Sequence, residues 1–193
     1  MTDPYVLPNG TLKNLLGIED ATLLAAAEAD ITYIRLTELG ERPVEGAYDL
    51  DHLCRFHARI FGDIYPWAGM LRTVDIAKHT PFCPVVHLQS YASEVFGRLR
   101  SANLLRGLGL QSFVTELTEF YGDINALHPF REGNGRAQRA FLQQLTLDAE
   151  YTLSWEHLDR GRNEEAAIKS FLGDNEPLRL MLAPLIGVRD SGN

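Results

Sequence analysis

One stretch limits what this chain can be. Residues 128–139 read His-Pro-Phe-Arg-Glu-Gly-Asn-Gly-Arg-Ala-Gln-Arg. Pro129 lacks an N–H and restricts the residue before it, so a helix arriving at His128 must stop there. Gly133 and Gly135 flank Asn134, which lets successive backbone N–H groups turn towards one point. The apolar stripe Phe113, Leu117, Phe120, Tyr121 and Ile124 predicts a helix over 111–125 leading in. Ala140, Phe141, Leu145 and Leu147 predict another over 136–150 leading out. The chain is therefore built around a helix–loop–helix whose loop is too polar and too glycine-rich to be simple packing.

The chemistry of the loop follows from its residue types. His128 titrates near neutral pH and can take a proton from an attacking hydroxyl. Phe130 is an apolar anchor among polar neighbours. Gly133, Asn134 and Gly135 open directly into a helix, so the backbone and the positive end of the dipole form an anion cradle. Arg136 and Arg139 lie three apart in the first helical turn, where cations oppose the dipole. Two arginines placed against the dipole point to a bound anion that offsets them, with phosphate the natural candidate. Glu132 beside such a cradle would repel phosphate unless a cation bridges them, and Mg²⁺ is the cation that carboxylate and phosphates hold together. The residues thus describe a polyphosphate site with Mg²⁺ and a histidine base, suited to attack of a hydroxyl on phosphorus.

The rest of the chain is read as support. The 193 residues fit one domain with a small helical extension, residues 1–48 forming the extension and 49–193 the catalytic core. Further helices are predicted over 19–39, from the N-cap Asp49 to Gly62, and over 87–101, 163–172 and 176–186. Alternation over 71–82 predicts a short β-hairpin, suited to a flap over a site. The net charge of −8 argues against a general nucleic-acid-binding surface. Cys54 and Cys83 have no metal or redox spacing and read as thiols of a reducing cytosol. The N-terminus lacks a signal-peptide pattern, and no apolar run is long enough to span a bilayer, so a cytoplasmic protein is expected. His52, His57, His87 and His157 read as structural or surface residues.

Residues 128–139 match every fixed position of His-Pro-Phe-x-(Asp/Glu)-Gly-Asn-Gly-Arg-x-x-Arg, and the chain thereby resembles the Fic family. Residues 63–69, 72–76 and 124–127 look like segments of the same core, so the resemblance covers about 49–186. It implies an all-α Fic fold, a helical bundle with a small β-hairpin flap. It implies protein adenylylation, the transfer of AMP from ATP to a target hydroxyl with release of pyrophosphate. By motif position, His128 would be the base and Glu132 the Mg²⁺ ligand between the α- and β-phosphates. Gly133, Asn134 and Gly135 would form the anion hole, with Asn134 also touching the α-phosphate. Arg136 would bind the β/γ end, and Arg139 the γ-phosphate or an inhibitor. Ile76, Ala77, Lys78 and His79 would form a flap near the adenine that pairs with the target's backbone.

Departures from the family pattern fall at Met70, where relatives often have glutamate, and at His79, where they have glycine. Both bear on target choice. Gly135 stands where Doc-type kinases of the superfamily have lysine, which favours AMP transfer over phosphate transfer. No in-chain (Ser/Thr)-x-x-x-Glu-(Gly/Asn) inhibitory motif is found, since Thr37…Glu41 is followed by Arg42, Ser90…Glu94 by Val95 and Thr115…Glu119 by Phe120. The resemblance then implies a toxin held by a small antitoxin that carries this helix, with DNA gyrase or topoisomerase IV as the target class. Direct nucleic-acid binding is not expected. The other readings are an inactive Fic-fold binding module and a Fic enzyme using another nucleotide donor.

Overall fold

The computed structural model describes residues 3–78 and 80–189. Seven helices are present among them: α1 (Ala21–Glu41), α2 (Leu50–Phe61), α3 (Leu88–Ser101), α4 (Leu110–Leu127), α5 (Asn134–Asp148), α6 (Arg160–Phe171) and α7 (Glu176–Leu182). The fold is mostly helical, as expected. The chain divides into two compact units, residues 1–74 with 129–140, and residues 75–128 with 141–193.

In the first unit, α1 begins at Asp20, whose carboxylate accepts the N–H groups of Thr22 and Leu23. Asp49 caps α2 by accepting the His52 N–H at 2.8 Å, and Asp51 and Arg59 complement the helix dipole at its two ends. The inward face of α2 carries Leu53, Phe56, His57, Ile60 and Phe61, all buried. The following turn adds Ile64, Tyr65 and Trp67 to this core. The Tyr65 and Trp67 rings stack with centroids 4.4 Å apart. Phe130 enters the same core with no exposed surface, so the central loop is anchored by an aromatic plug.

The second unit packs α3, α6 and α7 on α4. Phe96, Phe120 and Phe141 meet in its core at centroid separations of 5.7–6.1 Å. Its sheet has two strands, β1 (Tyr151–Leu153) antiparallel to β2 (Ile186–Val188), with Leu153 opposite Ile186. This sheet lies away from the predicted position. Among the described residues, 71–78 and 80–82 form no named strand, and Ala77 pairs with Pro81 in an isolated bridge. The Phe82 N–H donates to the Ile76 carbonyl at 3.2 Å and the Lys78 N–H to the Thr80 carbonyl at 3.2 Å. Pro81 and Pro84 remove two backbone donors, which keeps the flap a tight loop and not a ladder. His79 lies outside the described residues. Among the described residues, no helix is long and apolar enough to cross a membrane.

Candidate active site

α4 delivers His128, and the helix ends there because His128 takes the left-handed conformation, φ 43° and ψ 61°. Its N–H still donates to the Ile124 carbonyl at 3.1 Å, so it is both helix cap and first loop residue. The ring Nδ1 lies 3.1 Å from the Asn125 carbonyl. A carbonyl only accepts, so Nδ1 carries a proton, and in the neutral ring the lone pair then lies on Nε2, the arrangement a general base needs. The ring stacks on Phe82 with centroids 3.7 Å apart and planes 12° apart. Phe82 in turn walls a cavity of about 580 Å³ in the second unit, together with Pro84, Tyr91 and Phe171. Its polar lining includes Asp123 and Asn175. Asp123 accepts from the Tyr91 hydroxyl and from Arg98, and Asn175 donates to Glu119 at 2.8 Å. Burial raises the Tyr91 phenol's pKa, and Asp123 adds to the rise, so Tyr91 stays a hydrogen-bond donor. The flap residues Ala77 and Lys78 are exposed and Ile76 half-buried. The Val85 N–H bonds Asp75 at 2.8 Å and the Cys83 N–H bonds the Ala126 carbonyl at 2.9 Å, which fixes the base of this loop to α4.

The rest of the motif belongs to the first unit. Asn134 is buried, and its carboxamide clamps the Phe130 backbone, accepting the N–H at 2.8 Å and donating to the carbonyl at 2.7 Å. The side chain is thus committed to loop shape. Gly133 has φ +80°, and a Cβ there would lie 2.3 Å from Phe61 Cζ, so both conformation and space demand glycine. Its N–H donates to Glu132 Oε1 at 2.9 Å. Glu132 is half-exposed, with Oε1 3.8 Å from Arg136. Among the described residues, no group of three or more His, Cys, Asp and Glu could hold a metal ion. One exposed carboxylate fits Mg²⁺, a cation commonly held by one or two carboxylates and the substrate's phosphates.

The two arginines are placed differently. Arg136 pairs with Glu28 of α1, donates to Thr32 Oγ1 at 3.2 Å and sits 4.7 Å over the Phe61 ring. Glu28 also accepts the Tyr65 hydroxyl, whose pKa is raised by burial and then by that carboxylate. Arg139 folds back over the start of α5, its Nη1 3.2 Å from where a Gly135 Cβ would lie. Arg131 ties the loop to the chain start through Asp3 at 2.8 Å.

Sequence reasoning missed two members of this constellation. Glu28 lies 108 residues from Arg136, and nothing in a single sequence links them. His57 was read as structural or surface, yet it bonds the Glu132 carbonyl at 2.9 Å. No spacing signal marks a histidine on a buried helical face.

The fold is helical, and the chain passes from a left-handed histidine at the end of α4 through Gly133, also at positive φ, into α5. The sequence pattern of the Fic/DOC family matches residues 47–146. The chain belongs to the Fic/DOC family. It is 37% identical over 186 residues to the probable protein adenylyltransferase Fic of Salmonella typhimurium, covering 95% of this chain and 92% of that protein. It is 40% identical over 182 residues to the protein adenylyltransferase VbhT of Bartonella schoenbuchensis, covering 93% of this chain but only 38% of VbhT's length. Among solved structures, the Fic domain of a cell filamentation protein from Bartonella quintana with bound ADP superposes with a TM-score of 0.90 at 26% identity, covering 97% of this chain and 96% of that one. The BepC protein of Bartonella tribocorum with bound AMPPNP shares the fold, with a TM-score of 0.92 at 23% identity over 96% of this chain and 97% of that one.

Proposed function

We propose that the chain is a protein adenylyltransferase, moving AMP from ATP to a hydroxyl side chain of a target protein. The observation that carries this reading is the hydrogen bond between His128 Nδ1 and the Asn125 carbonyl. Nδ1–H is spent on the Asn125 carbonyl, which leaves Nε2 able to accept the proton of a target hydroxyl. As that proton moves to Nε2, the hydroxyl oxygen bonds the α-phosphorus and the bond to the β-phosphate oxygen breaks, releasing pyrophosphate. The backbone N–H groups of Gly133, Asn134 and Gly135 receive the charge that develops on the phosphoryl oxygens. Arg139, folded over the start of α5, serves the γ-phosphate, and Arg136 serves the β/γ end by exchanging Glu28 for phosphate. Mg²⁺ held by Glu132 would supply charge neutralisation between the α- and β-phosphates. The cavity lined by Phe82, Tyr91 and Phe171 suits a flat base, with Asp123 and Asn175 as polar partners. The loop at Ile76–Lys78 serves as the flap that receives the target backbone.

The bridge Ala77–Pro81 and the exposure of Ala77 and Lys78 support that flap role, since a strand can be added only where backbone is open. The residues of the proposed chemistry fall within 49–193, and residues 1–48 supply Glu28 to Arg136. The absence of an in-chain (Ser/Thr)-x-x-x-Glu-(Gly/Asn) segment supports regulation by a separate small antitoxin carrying it. We extend the target class to DNA gyrase or topoisomerase IV in the cytoplasm on family resemblance. The test is label transfer from α-labelled ATP to proteins of a cell lysate. Wild type should label a discrete band, γ-labelled ATP should not, and His128→Ala should lose the signal while keeping its circular-dichroism spectrum. Equal labelling by His128→Ala would remove the assignment.

A further inference from the structure

His57 takes no part as a reacting group in the chemistry above, yet both of its ring nitrogens are committed to backbone. It has no exposed surface. The Gly69 N–H donates to Nδ1 at 2.8 Å, so Nδ1 is unprotonated. Nε2 lies 2.9 Å from the Glu132 carbonyl, which only accepts, so Nε2 carries the proton. The neutral ring is sandwiched between Phe130, at 3.9 Å and 26°, and Phe61, at 4.7 Å and 28°. Every feature of the ring is thereby fixed, in tautomer, in orientation and in depth.

The consequence lies one atom group further on. The peptide joining Glu132 to Gly133 is planar and trans, so its C=O and N–H point in opposite directions. A carbonyl held by His57 therefore aims the Gly133 N–H away from the aromatic core. That N–H now meets Glu132 Oε1 at 2.9 Å, a carboxylate oxygen standing in for an anion. That peptide plane turns about ψ of Glu132 and φ of Gly133, and glycine restrains the turn least, so the tie to His57 is what fixes the plane. We propose that His57 is a positioning residue that aims the Gly133 N–H into the phosphate cradle. The inference rests on the adenylyl-transfer reading, because the aim of this donor matters only where an anion binds.

Two substitutions in the full chain separate positioning from packing. Both remove the imidazole from between Phe61 and Phe130. Glutamine can place its amide nitrogen where Nε2 stood and keep the Glu132 tie. Asparagine can place its oxygen where Nδ1 stood and keep only the Gly69 tie. With wild type as reference, His57→Asn is expected to lose about tenfold or more in kcat relative to His57→Gln, with KM for ATP nearly unchanged, because the donor acts mainly in the transition state. Amide hydrogen exchange at Gly133 is expected to quicken in His57→Asn and not in His57→Gln. Equal kcat losses in both variants, tracking their melting temperatures, would overturn the proposal, as would equal Gly133 exchange. ¹⁵N-histidine spectra of the wild-type chain need no variant to fold: His57 is expected as the Nε2–H tautomer, and the Nδ1–H tautomer would refute the assignment. A wild-type chain that transfers no AMP would instead remove the adenylyl-transfer reading, while the exchange and tautomer measurements still decide the role of His57.

Discussion

Single residues carry much of the argument, and His57 has a consequence for stability as well as for aim. Burial lowers its pKa from 6.5 to about 4, and the charge of Arg136 acts in the same direction, against the hydrogen bond to Glu132 that favours the charged form. The unfolded chain binds this proton more readily than the folded one, so acid favours unfolding. The contribution is absent above pH 6.5, grows as pH falls, and levels off below about pH 4. It amounts to about 3 kcal/mol. Urea titrations at pH 7 and pH 4.5 should show this loss, and His57→Gln should flatten the profile over that window. A second prediction belongs to Gly133. Alanine there meets both the positive φ and the Phe61 ring, and should cost about 2–5 kcal/mol and abolish AMP transfer. A variant as stable as wild type, measured by thermal melting, would contradict the geometry.

At the scale of elements, the sequence was legible where periodicity and caps agree. The helix expected over 111–125 is α4, Leu110–Leu127, and the one expected over 136–150 is α5, Asn134–Asp148, displaced by two residues. The displacement has a reason. A Gly-Asn-Gly run reads as a loop, but the Asn134 side chain turns back to Phe130 and lets helix begin at once. Asp49 and the inward face of α2 were equally legible. The strands were not. Tyr151–Leu153 and Ile186–Val188 are three residues each, too short for alternation to show, and Ile186 read as the continuation of an apolar helical run. Over 71–82 alternating residues suggested strands, and backbone chemistry overrode them. Asp49→Ala tests an element by itself: losing the bond to the His52 N–H should cost about 1 kcal/mol in urea unfolding. AMP transfer per folded molecule should stay unchanged, since the cap touches none of the loop residues.

For the molecule as a whole, the chemical signal in the sequence is concentrated in residues 128–139, where a histidine, a glutamate, two glycines and three arginines stand within twelve positions. What was not legible is how those groups are held, since Glu28, His57 and Asp3 reach the loop from far along the chain, and Tyr65 reaches Glu28. Site identity is local in sequence, whereas site support is tertiary. Ligand linkage gives a global test. Mg²⁺–ATP at 100 times its Kd should stabilise the fold by about 2.7 kcal/mol, seen as a rise in Tm. His128→Ala should keep most of that rise while losing transfer, because in the proposed mechanism the imidazole removes a proton and does not retain the nucleotide. A variant that loses both together would assign His128 to binding.

The pairing of Arg136 with Glu28 bears on ionic strength. If phosphate takes the guanidinium by displacing Glu28, nucleotide binding exchanges one ion pair for another. Added salt screens both partnerships, so affinity should vary only weakly between low and high salt. In Glu28→Gln the guanidinium starts without that carboxylate, and binding creates a charge pair outright. Its affinity should be higher in dilute buffer and should fall more steeply as salt is added, by calorimetry across a salt series. A lower affinity in dilute buffer would show that the guanidinium holds carboxylate and phosphate together. Under that exchange, the α1 carboxylate would buffer the nucleotide response of this acidic chain against its ionic surroundings.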